Sequence, residues 1–258
     1  MTPAPERPAV LLEMCVDSVD AAVAAEAGGA DRVELCANLL EGGTTPSPGT
    51  MALACERLDI PVNVIVRPRG GDFLYTDAEF EVMRRDVLAA REAGASGVVI
   101  GLLTADGDVD AARTADLIAL ARPLSVTFHR AFDMARDPHV ALDSLLDLGV
   151  DRLLTSGQEA TALEGLDLIA DLVRRAGERL VVMPGGGITP RNIGRILATS
   201  GAREVHVYAA QMVEGPMRHR NPRAFMGGEL RPPEFARPIT APEDVRAVRT
   251  AMEGPYHG

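Results

Sequence analysis

The chain has 258 residues, 47% of them hydrophobic and 24% charged, an ordinary globular composition that argues against a disordered or fibrous protein. Against 37 acidic residues stand 26 basic ones, and the formal net charge of −11 has the wrong sign for a general binder of nucleic acid or anionic membrane. No apolar run approaches the roughly 20 residues needed to span a bilayer. Residues 1–8 are Pro-rich and hold no apolar signal core, so a short N-terminal tail and a cytoplasmic location are expected.

Eight short apolar runs alternate with amphipathic stretches. Val10–Val16 is followed by a helical pattern over Ser18–Ala27, with Ser18 placed to cap it. Arg32–Cys36 comes next, then a second helix that contains Cys55. Val62–Arg67 precedes the pattern Asp77–Ala93, capped by Thr76 or Asp77. Gly97–Leu102 leads to Asp110–Ala121, Leu124–His129 to Pro138–Leu148, and Arg152–Thr155 to Thr161–Ala176. Leu180–Met183 leads to Pro190–Ser200, where a first-turn proline is tolerated, and Glu204–Tyr208 is the eighth run. Residues 209–240 are rich in Pro, Gly, Arg and Met without a clear period; a long loop is expected there, of the kind that forms a lid, an interface or disorder. A last helix, Pro242–Met252, follows. Eight strand–helix units, with no hairpin signal and no GxGxxG after the first strand, predict an α/β fold. The expected form is a single-domain (β/α)8 TIM barrel over residues 9–258, not an open doubly wound sheet.

Strand alternation assigns faces. With the apolar set turned to the helices, Glu13 and Cys15 face inward from the first strand, and Glu34 and Cys36 from the second. Asn63, Ile65 and Arg67 face inward from the third, Ser125, Thr127 and His129 from the fifth, and His206 and Tyr208 from the eighth. Buried charge loses its hydration unless paired. Glu13 and Glu34 are therefore expected to be partnered by Arg67 on the next strand: two adjacent carboxylates raise one pKa, and the arginine lowers both. The cluster is either an ionic plug or a catalytic group, with Glu13 or Glu34 as general acid or base, His129 sharing the proton and Arg67 holding an anionic substrate. Past the strand ends, "RPRGGDF" supplies Arg69 and Asp72, "HRAFDM" supplies Arg130 and Asp133, and "TSGQ" supplies Thr155, Ser156 and Gln158. In "MPGGGITPRNI", Gly185, Gly186 and Gly187 either cradle an anion with their N–H groups, together with Arg69, or simply make a tight turn.

Cys15, Cys36 and Cys55 are too few for a disulfide scaffold and form no CxxC, which fits reduced thiols. Cys15 and Cys36 stand two residues after Glu13 and Glu34 on neighbouring strands. Two thiolates suit a soft ion such as Cu(I), or zinc; the alternative is that both fill core space. Cys55 reads as core. Met212, Met217, Met226 and His219 are either further soft ligands or interface residues, and Phe225, Met226, Leu230 and Phe235 are available to bury against a second copy or the barrel itself. A homo-oligomer is expected.

The blocks "LEMCVDSVDAA", "AGGADRVELCANLLEGGTTPS", "VIVRPRGGDFLYTDAEF", "LSVTFHRAFDM", "GVDRLLTSGQ", "MPGGGITPRNI" and "PMRHRNPRAFMGG", in this order from about Val10 to Met252, resemble the CutC family of copper-homeostasis proteins. The resemblance implies a TIM barrel, a cytosolic location, self-association and a copper-linked role with Cu(I) held by cysteines. Cys15 in "EMCVDS" and Cys36 in "ELCANL" stand at the family's cysteine positions, and Cys55 does not. Two functions are thus expected as alternatives. One is a Cu(I)-binding copper-homeostasis protein. The other is a TIM-barrel enzyme acting on a small phosphorylated metabolite through Glu13, Glu34, Arg67 and His129. Neither requires nucleic acid or membrane.

Overall fold

Strands covered on both faces read as continuous apolar runs, and every residue of the second, third, fourth and eighth strands is buried. The structure, a computed structural model, describes residues 10–221, 223 and 233–253. The expected tail at residues 1–8 and Phe225, Met226 and Leu230 lie outside the described residues. In chain order the elements are β1 (Leu11–Val16), α1 (Val19–Ala27), β2 (Arg32–Leu35), α2 (Pro48–Arg57), β3 (Val62–Ile65), α3 (Asp77–Glu92), β4 (Gly97–Ile100) and α4 (Ala111–Ala121). They continue with β5 (Ser125–Phe128), α5 (Pro138–Leu148), β6 (Arg152–Thr155), α6 (Leu166–Ala176), β7 (Val181–Pro184), α7 (Ile193–Ser200), β8 (Glu204–Val207), β9 (Gln211–Glu214), β10 (Ala236–Ile239) and α8 (Pro242–Glu253).

Eight parallel strands pair in the order β7-β6-β5-β4-β3-β2-β1-β8, and β7 lies beside β8 to bring the sheet around. This is a (β/α)8 TIM barrel. Local chemistry sets the helix starts. Ser18 Oγ accepts from the Ala21 N–H, and Thr76 and Glu79 form a reciprocal capping box at α3. Two helices begin later than their periodicity suggests. Thr161 and Glu164 bond each other ahead of α6, and Asn192 ties back to the Thr189 N–H and the Gly187 carbonyl ahead of α7, so both leading segments are held as turns. Within residues 209–240, β9 and β10 form a two-stranded antiparallel ladder. Among the described residues no helix is long and apolar enough to cross a membrane.

Two cores result. The outer one, between sheet and helices, is aliphatic and includes Leu12, Met14, Val33, Val64, Met83, Leu117, Phe128, Leu145 and Ile169. Each such side chain contributes about 1.5–3 kcal/mol on burial. Inside the barrel the apolar cluster shrinks to Cys15, Cys36, Ile65 and Val99. The rest of the interior is polar. Arg32 binds Glu13 (Nε to Oε2, 2.5 Å) and Glu204 (Nη2 to Oε2, 2.5 Å), and Arg152 Nε reaches Glu204 at 2.8 Å. This chain of four charges fills the end of the barrel where β2, β6 and β8 begin.

Candidate functional site at the barrel mouth

At the other end, where the strands finish, a cavity of about 600 Å³ opens. Cys15, Glu34, Arg67, His129, Arg130 and Gly186 are among its walls. This is the end at which barrel enzymes build their sites. Glu13 is not one of the lining residues. The β1–β2 register places Glu13 opposite Arg32 and Cys15 opposite Glu34, one layer apart, and the β1–β8 register places Glu13 opposite His206. Glu13 is thus held below the cavity by Arg32, His206 (Nδ1 to Oε1, 2.8 Å) and Asn63 (3.3 Å).

The two carboxylates diverge. Burial alone pushes both upward. At Glu13 the His206 hydrogen bond and the Arg32 charge outweigh burial and bring its pKa down to about 2. At Glu34 burial prevails over the attraction of His206, helped by the negative charges of Cys15 and Glu13, and the pKa rises to about 8. The expected partnership with Arg67 is not formed. Arg67 lies just past the end of β3 and donates to the carbonyls of Glu41 (2.7 Å), Gly43 (2.7 Å) and Gly71 (3.0 Å), with its guanidinium 5.3 Å from the Phe73 ring centroid. The loops after β2 and β3 fold back over the mouth with carbonyls that need donors, and Arg67 supplies them.

The thiols meet. Cys15 Sγ lies 3.8 Å from Cys36 Sγ, and Cys36 Sγ lies 3.4 Å from Glu34 Oε2. One ligand atom from each of these three residues fits within 4.8 Å. The sulfurs are unbonded, since a disulfide requires about 2.05 Å. Cys15 lines the cavity, while Cys36 is packed behind it. The hydrogen bond from Cys36 draws the Cys15 thiol down to about 6 against the effect of burial, with His206 assisting; the same contact, with burial, pushes Cys36 upward. His206 is raised well above its usual value: burial opposes the charge, but Cys15, Glu13 and Glu34 prevail. Cys55 sits half-buried in α2, away from this group.

His129 caps the short 3-10 turn Arg130–Met134, its Nδ1 accepting from the Ala131 N–H at 3.1 Å. Burial, then the Arg67 charge, lowers its pKa to about 3. The imidazole is therefore neutral, with the proton on Nε2, where it has no partner among the described residues. With Nδ1 accepting from the backbone, the neutral ring is left with Nε2–H as its donor. Glycine at position 101 is required beneath the ring, because a Cβ there would come within 2.3 Å of it.

Arg69 does not reach the cavity. Its side chain, 36% exposed, binds Glu79 (2.6 Å) and Asp72 (3.0 Å) and stacks on Tyr75, because the turn after β3 carries it outward. Gly186 and Gly187 line the cavity, whereas Gly185 continues the β6–β7 ladder through its N–H to Thr155 O (2.9 Å). Arg130 stands where Arg69 was expected, fixed by Asp133 (2.7 Å) and Ser156 Oγ (2.7 Å). Met212 and Met217 are exposed and do not line the cavity. Arg32, Arg152 and Glu204, each at the first residue of its strand, are interior charges that alternation from the apolar runs does not single out. A signal existed for Arg32, which lies two residues before Glu34 and shares its inward parity.

Comparison with known proteins places the chain among relatives of one family. The mouse copper homeostasis protein cutC homolog (Mus musculus) is 53% identical over 240 residues, covering 93% of this chain and 87% of that protein. A family protein CutC from Chromobacterium violaceum is 52% identical over 243 residues, 94% of this chain and 98% of its own. The CutC crystal structure from Streptococcus agalactiae superposes with a TM-score of 0.73 at 34% identity, covering 76% of this chain and 97% of that one. The N-(5'-phosphoribosyl)anthranilate isomerase of Pyrococcus furiosus shares the fold alone, with a TM-score of 0.57 at 14% identity over 95% of this chain and 98% of its own. A profile of the CutC family matches residues 10–211, and the chain belongs to that family.

Proposed function

We propose that this protein serves copper homeostasis by binding Cu(I) between Cys15 and Cys36. The observation that carries this reading is the 3.8 Å approach of the two sulfurs inside the barrel, with a Glu34 oxygen 3.4 Å from Cys36. Metal–thiolate bonds of about 2.3 Å can meet across that separation without movement of the strands. Thiolates are soft donors, the kind that selects Cu(I). A Glu34 carboxylate oxygen, within 4.8 Å of both sulfurs, is available as a third, harder donor. The names of the mammalian relatives point the same way. A cytoplasmic location and self-association complete the proposal. Three unpaired cysteines fit a reducing compartment, and the exposed Met134, Met212 and Met217 offer apolar contact for a second copy.

Anaerobic titration with Cu(I) against a chromogenic chelator tests the site. Wild-type protein is expected to take up one Cu(I) per chain. Uptake is expected to vanish in Cys15→Ser/Cys36→Ser and to persist in Cys55→Ser. Equal affinity in wild type and the double variant overturns the reading. Light scattering of the same samples tests self-association.

A further inference from the structure

The thiols occupy the β1–β2 side of the cavity. The opposite assignment of donors is found on the segments that follow β5, β6 and β7. Arg130 projects from the turn after β5 with all but one of its nitrogens engaged: Nε binds Asp133 and Nη2 binds Ser156 Oγ. Nη1 has no partner among the described residues and stands over the glycine turn, where a Cβ on Gly186 would lie 3.3 Å from it. Asp133 orients the guanidinium but does not fill the space, since its oxygens also accept from Thr155 Oγ1 (2.5 Å) and from the Ser156 N–H and hydroxyl.

The turn itself is arranged to donate. The Gly186 carbonyl accepts from the Ala162 N–H and the Gly187 carbonyl from Asn192 Nδ2, both at 2.9 Å. A trans peptide points its N–H opposite its carbonyl, so these two bonds fix the directions of the Gly187 and Ile188 N–H groups. Neither these nor the Gly186 N–H has an acceptor among the described residues. A second observation points independently to a ligand. His129, adjacent to Arg130 in the chain and only 4% exposed, lines the same cavity, and its Nε2 has no partner among the described residues. An unfilled buried donor of this kind is costly unless something in the cavity accepts from it.

We propose that this wall is the phosphate seat of a site for a small phosphorylated metabolite, with the phosphate held by Arg130 Nη1 and the N–H groups of Gly186, Gly187 and Ile188, and an oxygen elsewhere in the molecule accepting from His129. Several N–H donors beside one guanidinium match the clustered acceptor oxygens of a phosphate better than a single carboxylate. A cavity of about 600 Å³ is within the range of small-metabolite sites. The seat uses neither cysteine, so it stands or falls separately from Cu(I) binding.

The test is carried out on the metal-free full chain with inorganic phosphate and glycerol 3-phosphate as probes, followed by calorimetry and by amide shifts in 15N-labelled protein. Expected are saturable binding of glycerol 3-phosphate and shifts centred on Gly186, Gly187 and Ile188. Affinity should fall about tenfold or more in Arg130→Gln, as expected for loss of a charge-assisted bond, and recover in part in Arg130→Lys. Arg69→Gln should bind as wild type does. Circular dichroism of each variant checks that the barrel is intact. Absence of saturable binding, shifts confined to other arginines, or wild-type affinity in a folded Arg130→Gln would each overturn the proposal.

Discussion

His206 Nδ1 lies 2.8 Å from Glu13 Oε1, across the β1–β8 junction, and this contact splits the behaviour of the two buried glutamates. The same ring places Nε2 3.7 Å from Glu34 Oε2, so one imidazole touches both carboxylates but bonds closely to one. Glu13 stays ionised between Arg32 and His206, and Glu34 is left with a buried oxygen that has no partner among the described residues.

Replacing Glu13 should therefore be severe. Glu13→Gln leaves the Arg32 and His206 charges buried without the carboxylate that binds both. Breaking a buried pair in this way costs about 3–5 kcal/mol. Urea denaturation of the variant should show a loss of that size, whereas Glu178→Ala at the exposed Arg203 pair should leave the midpoint unmoved. A Glu13→Gln midpoint equal to that of wild type would show that the network is not a stability element.

His129 makes stability depend on pH. In the folded chain it stays neutral down to about pH 3, while the same side chain, once unfolded, takes a proton near 6.5. Between those values the unfolded state binds more protons, so acidification favours unfolding. The contribution is fully present above 6.5 and is lost toward 3, with a slope of at most about 1.4 kcal/mol per pH unit. His129→Gln removes this dependence. Its stability should decline less steeply on acidification, as measured by urea titrations in buffers spanning this range, and parallel profiles would count against the assignment.

Arg67 is expected to act on loops and not on the carboxylates. Arg67→Met deprives three carbonyls of their donor and should cost about 3 kcal/mol, in the range for bonds to a charged group. Hydrogen exchange should quicken around Gly42, Gly43 and Gly71. If instead exchange quickened around Glu13 and Glu34, the loop role would be wrong.

The three thiols should react in a fixed order. Cys15 has a lowered pKa and lines the cavity, so iodoacetamide near neutral pH should label it first in the metal-free protein. Cys36 is raised and packed behind it, and Cys55 is raised by burial. Mass spectrometry of timed samples reads the order, and bound Cu(I) should protect Cys15. Faster labelling of Cys36 would contradict the geometry.

Much of this arrangement is legible in the residues. Strand periodicity is local, so the inward direction of Glu13, Cys15, Glu34 and His206 follows from the apolar residues between them. Capping chemistry is local as well, as at Ser18 and Thr76. Arg67 reaches the cavity as alternation predicts, but nearby carbonyls capture its guanidinium in place of Glu13 and Glu34; Arg69, further past the end of β3, is turned outward to Glu79.

By itself the amino-acid sequence determined the eightfold alternation, the barrel that follows from it, and the inward direction of Glu13, Cys15, Glu34, Cys36 and His206. Which of those side chains touch was decided by the tertiary structure. The β1–β2 register sets Cys15 opposite Glu34 and Glu13 opposite Arg32, so the two cysteines meet diagonally and not side by side. Closing strands into a barrel forces such a stagger, and its size is set by hydrogen bonding between segments distant in the chain. No local pattern carries that quantity, and it is what brings Cys15, Glu34 and Cys36 into one group while leaving Glu13 a layer below.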